Sequence, residues 1–258
     1  MIPFPAYQYE KGGVMLQTAV GYLRERWPFR HGLHLPETDV ERLIRDCEAE
    51  PWHLYAIRKR IWRRHVCVAC GWIADHLPAD SSVFEPGCGS GANLLWLAKR
   101  GFSRLLGTDI SPQAVALCRE LARRADTSVR VWQDDGLRPR ELPEPVNVVL
   151  SVNWLYHIPG ASLEALLDTY RPCLTPLGKI VCDVVDTAYN AVPGNAYHTD
   201  DSHLPEGQRR PSEYTFRMSR EEVADVAASC GFRLLRETRF AAVRPQRAVY
   251  MLERCDAA

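Results

Sequence analysis

The stretch Val83-Phe84-Glu85-Pro86-Gly87-Cys88-Gly89-Ser90-Gly91, running straight into the helical pattern Ala92–Arg100, restricts this chain more than any other feature. Glycines at alternate positions give the backbone conformations closed to other residues, so a strand can bend sharply into a helix. The bend leaves bare main chain that a ligand can approach, and the helix start offers unsatisfied N–H groups. The spacing is GxGxG. A dinucleotide site has GxGxxG, in which the third glycine lets the helix pack on the strand. The strand also ends in a carboxylate, Glu85. A pyrophosphate is repelled by a negative charge there, whereas a cationic ligand is attracted. A tight turn with no ligand could carry the same glycines, so the string needs partners elsewhere in the chain.

The texture around it is regular. From about residue 80, short β-rich runs alternate with helical patterns, as in a parallel sheet covered on both faces. Strands are expected at roughly 82–86, 104–109, 129–133, 146–151, 178–184, 232–240 and 246–254. Helices fall between them at about 91–100, 112–124, 161–171 and 219–230. Ser111-Pro112 is a good N-cap and first-turn pair, Ser219 with Glu222 makes a capping box, and Gly231 stands where a helix ends. No helix separates the last two strands, so they should form a hairpin. Residues 1–79 read as a helical segment, which either caps the pocket or makes a subunit contact. Leu16, Val20, Leu23 and Trp27 keep helical spacing, and Thr38 with Glu41 precedes Val40, Leu43, Ile44 and Cys47 as a capping box. Pro51 opens a longer helix with Leu54, Ile61, Trp62, Val66, Ala69 and Ile73 on one stripe, ending near Pro78.

Acidic residues stand at the ends of the next strands. Gly107-Thr108-Asp109 places a carboxylate where it can accept both hydroxyls of a ribose. Gln133-Asp134-Asp135-Gly136 follows the third strand, and either aspartate could accept from an adenine amine or simply shape the turn. The fourth strand releases into Ser151-Val152-Asn153-Trp154-Leu155-Tyr156-His157, a loop that faces the ligand crevice of an open parallel sheet.

Taken together, these motifs over residues 80–254 resemble a class I methyltransferase dependent on S-adenosylmethionine. That cofactor is cationic at its ammonium and sulfonium, which agrees with Glu85. The resemblance implies an α/β, Rossmann-like, seven-stranded, mostly parallel sheet with an antiparallel final strand, occupying residues 80–258. It implies that the turn of Gly87, Cys88, Gly89 and Gly91 lies against the methionine portion, with Glu85 close by. Asp109 would bind the ribose and Ile110 would touch the adenine. Asp135 matches the adenine-contacting acid better than Asp134, with Gly136 beside it, and Ser151 would offer backbone to the methionine amine.

The acceptor side is less defined. His157 is the candidate base, since it can hold a proton near neutral pH, although a histidine there can also merely shape the pocket. Trp154 and Tyr156 read as pocket walls. The stretch Thr187–Arg210 is long for a loop and carries Tyr197 and His198, which suit recognition of a small polar substrate. His198, Asp200, Asp201 and His203 have no helix-borne ligand spacing, and Cys67/Cys70 have no second CxxC, so no metal is expected. Basic and acidic residues balance at 32 each, which gives no field for nucleic acid. No apolar run approaches the ~20 residues of a spanning helix. The nine scattered cysteines suit a reducing, cytoplasmic setting. The expected function is methyl transfer to an O, N, S or C atom of a small molecule. The alternatives are an RNA or protein methyltransferase, which needs a basic surface near the glycine turn, and a protein that binds S-adenosylmethionine without catalysis. A nicotinamide oxidoreductase is disfavoured by Glu85 and the glycine spacing.

Overall fold

The computed structural model describes residues 35–58, 64–141, 143–241 and 245–255, apart from the side chains at 199 and 200. In chain order these form α1 (Glu37–Asp46), α2 (His53–Arg58), α3 (Arg64–His76), β1 (Ser82–Pro86), α4 (Ala92–Ala98), β2 (Arg104–Asp109), α5 (Pro112–Arg124), β3 (Val129–Gln133) and β4 (Val146–Ser151). There follow α6 (Leu163–Tyr170), β5 (Leu174–Asp186), β6 (Arg217–Met218), α7 (Arg220–Ser229), β7 (Phe232–Phe240) and β8 (Arg247–Arg254). The strands lie in the order β3-β2-β1-β4-β5-β8-β7, with β6 joined to β5. β1 pairs in parallel with β2 and β4, while β8 runs antiparallel between β5 and β7. The winding reverses direction between β1 and β4, so a crevice opens beyond their carboxyl ends. Glu85, paired with Gly107, stands at that edge.

Local chemistry places the helices. Ser111 Oγ accepts from Ala114 N at 3.2 Å, and Ser219 and Glu222 complete a reciprocal capping box. Gly231 takes φ +76° just past α7. Three expectations need correction. α1 starts at Glu37 behind Pro36, which has no side-chain cap bond, so Thr38 lies inside the helix and is not its cap. The long helix expected from Pro51 comprises two described pieces, α2 and α3, with residues 59–63 and the stripe Leu16–Trp27 outside the described residues. An eighth strand, β6, pairs with Val185 and Asp186 at the end of β5; two residues are too few to leave a periodic signal.

The core lies on both faces of the sheet. One face packs Phe84, Val149, Leu167 and Tyr170 with Leu252, and the other packs Val83, Leu94, Leu97 and Val148. Val66, Ala69 and Ile73 of α3 belong to that second cluster, beside Val249 of β8. Leu43 and Ile44 of α1 pack with Leu117 and Leu121 of α5. Each fully buried Val, Leu, Ile or Phe among these contributes about 1.5–3 kcal/mol. The helices upstream of residue 80 therefore share the hydrophobic core of the sheet and bring their residues to its carboxyl edge.

Candidate functional site

The glycine turn is built as its spacing demands. Gly87, Gly89 and Gly91 have φ of +63°, +54° and +69°. A Cβ on Gly87 would fall 2.1 Å from Trp154 Nε1, and one on Gly91 would fall 2.2 Å from Cys118 Sγ. Asp109 fastens the turn to β2, since its Oδ2 accepts from Gly89 N at 2.8 Å and its Oδ1 from Ser111 N at 2.9 Å. Glu85 is 2% exposed, and its Oε1 accepts from Asn93 Nδ2 of α4 at 2.6 Å. Cys88 is buried, and its neighbour Cys118, together with burial, pushes its thiol well above the usual range. It stays protonated and acts as packing. Ile110 is 68% exposed beside Asp109, an apolar surface open to a flat ring.

The two aspartates after β3 separate cleanly. Asp134 is buried and accepts from the N–H groups of Asp135, Arg140 and Glu141. Burial opposes its charge, but Arg140 and these amides hold its carboxyl below the usual range. Asp134 is thus committed to the turn. Asp135 is half-buried and uses Oδ1 to accept from Leu137 N at 2.9 Å. Gly136 lies under Trp154, and its carbonyl accepts from Tyr170 OH at 2.7 Å. Ser151 ends β4, and the hydroxyls of Ser151 and Ser90 are buried with no hydrogen-bond partner among the described residues. A bare turn of left-handed glycines, carboxylates at three strand ends and two unpartnered buried hydroxyls fit a cationic nucleoside.

Beyond β4 lies a buried polar cluster assembled from four parts of the chain. Asn153 takes φ +59°, and its N–H donates to Asp183 Oδ1 at 2.7 Å. Its Oδ1 accepts from Arg247 Nη1 at 3.1 Å and from Tyr156 OH at 3.1 Å. Arg247 Nη1 also bonds Tyr156 OH and donates to His65 Nε2 at 2.9 Å. His65, Asp183 and Tyr156 are at most 1% exposed, and Arg247 is 6% exposed. Burial pushes the Tyr156 phenol far up, with Arg247 opposing, so it stays neutral. Sequence reasoning anticipated Tyr156 alone of this cluster. Asp183 gave a signal, being one acid in the apolar run Val181-Cys182-Asp183-Val184-Val185.

His157 ends the short turn Leu155–His157, with its ring centroid 4.7 Å from Tyr156 and 5.6 Å from Tyr214. The residue is exposed by surface area, yet the crowding of its ring and the charge of Arg247 lower its pKa to about 4. Trp154 rests on Gly87 and Gly136, hence on the turns that follow β1 and β3. Tyr197 bonds Glu206, and His198 Nε2 is 2.6 Å from Glu213 Oε2, so both belong to the internal network of their own segment. That segment is no open loop. It forms three short 3₁₀ turns, and Arg210 bonds Asp201 while Tyr197 bridges to Pro211. Among the described residues no cluster is arranged to hold a metal ion, and no helix is long and apolar enough to cross a membrane. A cleft of about 730 Å³ opens at the opposite ends of the strands, lined by Arg104, Arg119, Arg130 and Glu144, far from this chemistry.

Comparison with known proteins agrees with the geometry. Residues 83–178 match the family model described as a methyltransferase domain. The chain is 36% identical over 70 residues to mouse (Mus musculus) EEF1A lysine methyltransferase 2, covering 26% of this chain and 29% of that protein. It is 36% identical over 110 residues to the ribosomal protein L11 methyltransferase of Hydrogenovibrio crunogenus, covering 43% and 34%. The chain thus spans about a third of the length of these relatives. The magnesium protoporphyrin IX methyltransferase of Synechocystis, crystallised with S-adenosylhomocysteine, has the same fold, with a TM-score of 0.59 at 16% identity over 92% of this chain and 99% of that one. Residues 83–178 thus match a methyltransferase domain, set within a Rossmann-like α/β fold shared with the Synechocystis enzyme.

Proposed function

We propose that the protein transfers a methyl group from S-adenosylmethionine to an oxygen, nitrogen, sulfur or carbon nucleophile of a small molecule. The bound cofactor supplies a methyl group already activated on its sulfonium, so the chain has to align, dehydrate and deprotonate. Glu85, the turn Gly87–Gly91, Asp109, Ile110, Asp135 and Ser151 would hold the cofactor. The Asp183–Arg247–Tyr156 cluster fixes Asn153, and with it the turn past β4, along the edge where the acceptor would lie. His157 is neutral above a pH of about 4 and would take the acceptor's proton.

The observation that carries a small acceptor is the roof over this edge. Thr215 N donates to Tyr156 O at 2.6 Å, and Thr215 Oγ1 donates to Tyr156 O and Ile158 O at 2.8 and 3.0 Å. The segment that ends there is thereby tied onto the β4 turn and brings Tyr189 and Tyr214 over it. A covered, aromatic edge suits a compact molecule. The porphyrin named for the Synechocystis enzyme supports this reading. The names of the mouse and Hydrogenovibrio relatives favour a protein acceptor instead. Incubation with S-adenosyl[methyl-³H]methionine and metabolite extracts, or with protein and RNA fractions, separates the two. Label in the small-molecule fraction supports the proposal. Label only in protein or RNA overturns it.

A further inference from the structure

We propose that Trp52 and His53 form the outer wall of the cofactor site and that His53 Nδ1 hydrogen-bonds a ribose hydroxyl of the bound nucleoside, an inference that rests on the cofactor reading above. Both residues lie outside the segment matched as a methyltransferase domain, so that match assigns them nothing. They nevertheless sit on its glycine turn. A Cβ on Gly89 would lie 3.3 Å from His53 Cε1 and 3.4 Å from Trp52 Cη2. The two rings are 3.9 Å apart at 33° and cover the turn together.

His53 is 3% exposed, yet its Nδ1 finds no hydrogen-bond partner among the described residues. A buried polar side-chain atom left in that state calls for a partner, since the large majority of such groups have one. The neighbourhood indicates which. Asp109, the acid at the end of β2 that suits a ribose, is the charge that most favours protonated His53. Burial outweighs it and lowers the pKa of the ring, so the imidazole is neutral. A neutral imidazole nitrogen either donates or accepts, and a hydroxyl does both, so the pair is compatible in either tautomer. A methionine carboxylate would only accept. Trp52 is 48% exposed, and its indole N–H is held by Glu50, which leaves the ring face to lie along the nucleoside.

The test is calorimetric titration of the full chain with S-adenosylhomocysteine, with thermal unfolding of each free and loaded variant as a second readout. His53→Ala should weaken binding about tenfold, the effect of one lost hydrogen bond, and shrink the ligand-induced rise in Tm. His53→Asn, whose amide occupies the Nδ1 position, should recover most of the affinity. The emission difference between wild type and Trp52→Phe should change on titration. A His53→Ala affinity within twofold of wild type overturns the assignment, as does a variant whose free Tm falls while its affinity stays. Failure of folded His53→Asn to recover affinity overturns it too. Wild type that fails to bind overturns the cofactor reading itself, and with it this inference.

Discussion

Arg247 offers the sharpest test of how the acceptor edge is held. Its guanidinium lies 3.9 Å from Asp183 Oδ2, with the two side chains 7% and 0% exposed. Replacing Arg247 by Met keeps most of the stem volume and removes the cation. Asp183 is then a buried carboxylate that has lost its permanent cation and keeps His65 Nε2 at 3.5 Å and the donors of Asn153 and Tyr156, a change that costs about 3–5 kcal/mol in comparable sites. Asn153 Oδ1 and Tyr156 OH each lose a donor as well. At about 2–4 °C per kcal/mol for a chain of this length, Tm should fall by about 6–20 °C. The double variant Arg247→Met/Asp183→Asn removes both charges, so it should be more stable than Arg247→Met alone, and the cycle yields the coupling. Scanning calorimetry gives Tm, and urea unfolding gives the free energies. A loss below about 1 kcal/mol in the single variant refutes the reasoning. So does a double variant no more stable than the single.

Other consequences are as direct. His157 has a folded pKa of about 4, below its unfolded value of about 6.5. The unfolded chain therefore binds the proton first, and the His157 share of stability is full above about pH 6.5 and is lost as pH falls toward 4. Tm measured between pH 7 and 4.5 should drop less steeply in His157→Gln. Asp109→Ala should weaken S-adenosylhomocysteine binding about 10- to 100-fold by calorimetry, since it removes a charged acceptor and frees the N–H groups of Gly89 and Ser111. Gly87→Ala should destabilise by at least about 1–2 kcal/mol from its left-handed φ alone, and Trp154→Ala in the same chain should relieve the added clash in urea unfolding.

Much of the frame was legible because its signals are local. β1, β2, β3 and β4 run over Ser82–Pro86, Arg104–Asp109, Val129–Gln133 and Val146–Ser151, as their apolar patterns predict. The caps at Ser111 and Ser219 needed only neighbouring residues. β5 begins at Leu174, ahead of its expected start, because Pro176 and Gly178 interrupt the β-rich pattern there. The polar cluster was not legible, since its contacts join residues far apart in the chain: Arg247 and His65 are separated by 182 positions. Periodicity reports which face is buried and says nothing of which distant polar group meets which. His53 escaped notice for the same reason, its meaning residing in a glycine 36 positions on. Trp154 shows the converse limit. Its aromatic character was evident, but only the fold shows that it lies on Gly87 and Gly136.

The strand β2 carries one more implication. Gly107 has ordinary extended geometry, yet a methyl group there would strike Leu94 Cδ1 at 2.9 Å and Cys88 Sγ at 3.0 Å. The missing side chain at 107 is the space into which the thiol at 88 folds. Positions 88, 94 and 107 therefore share one volume, and a chain that gains a side chain at 107 must let Leu94 and Cys88 give way together.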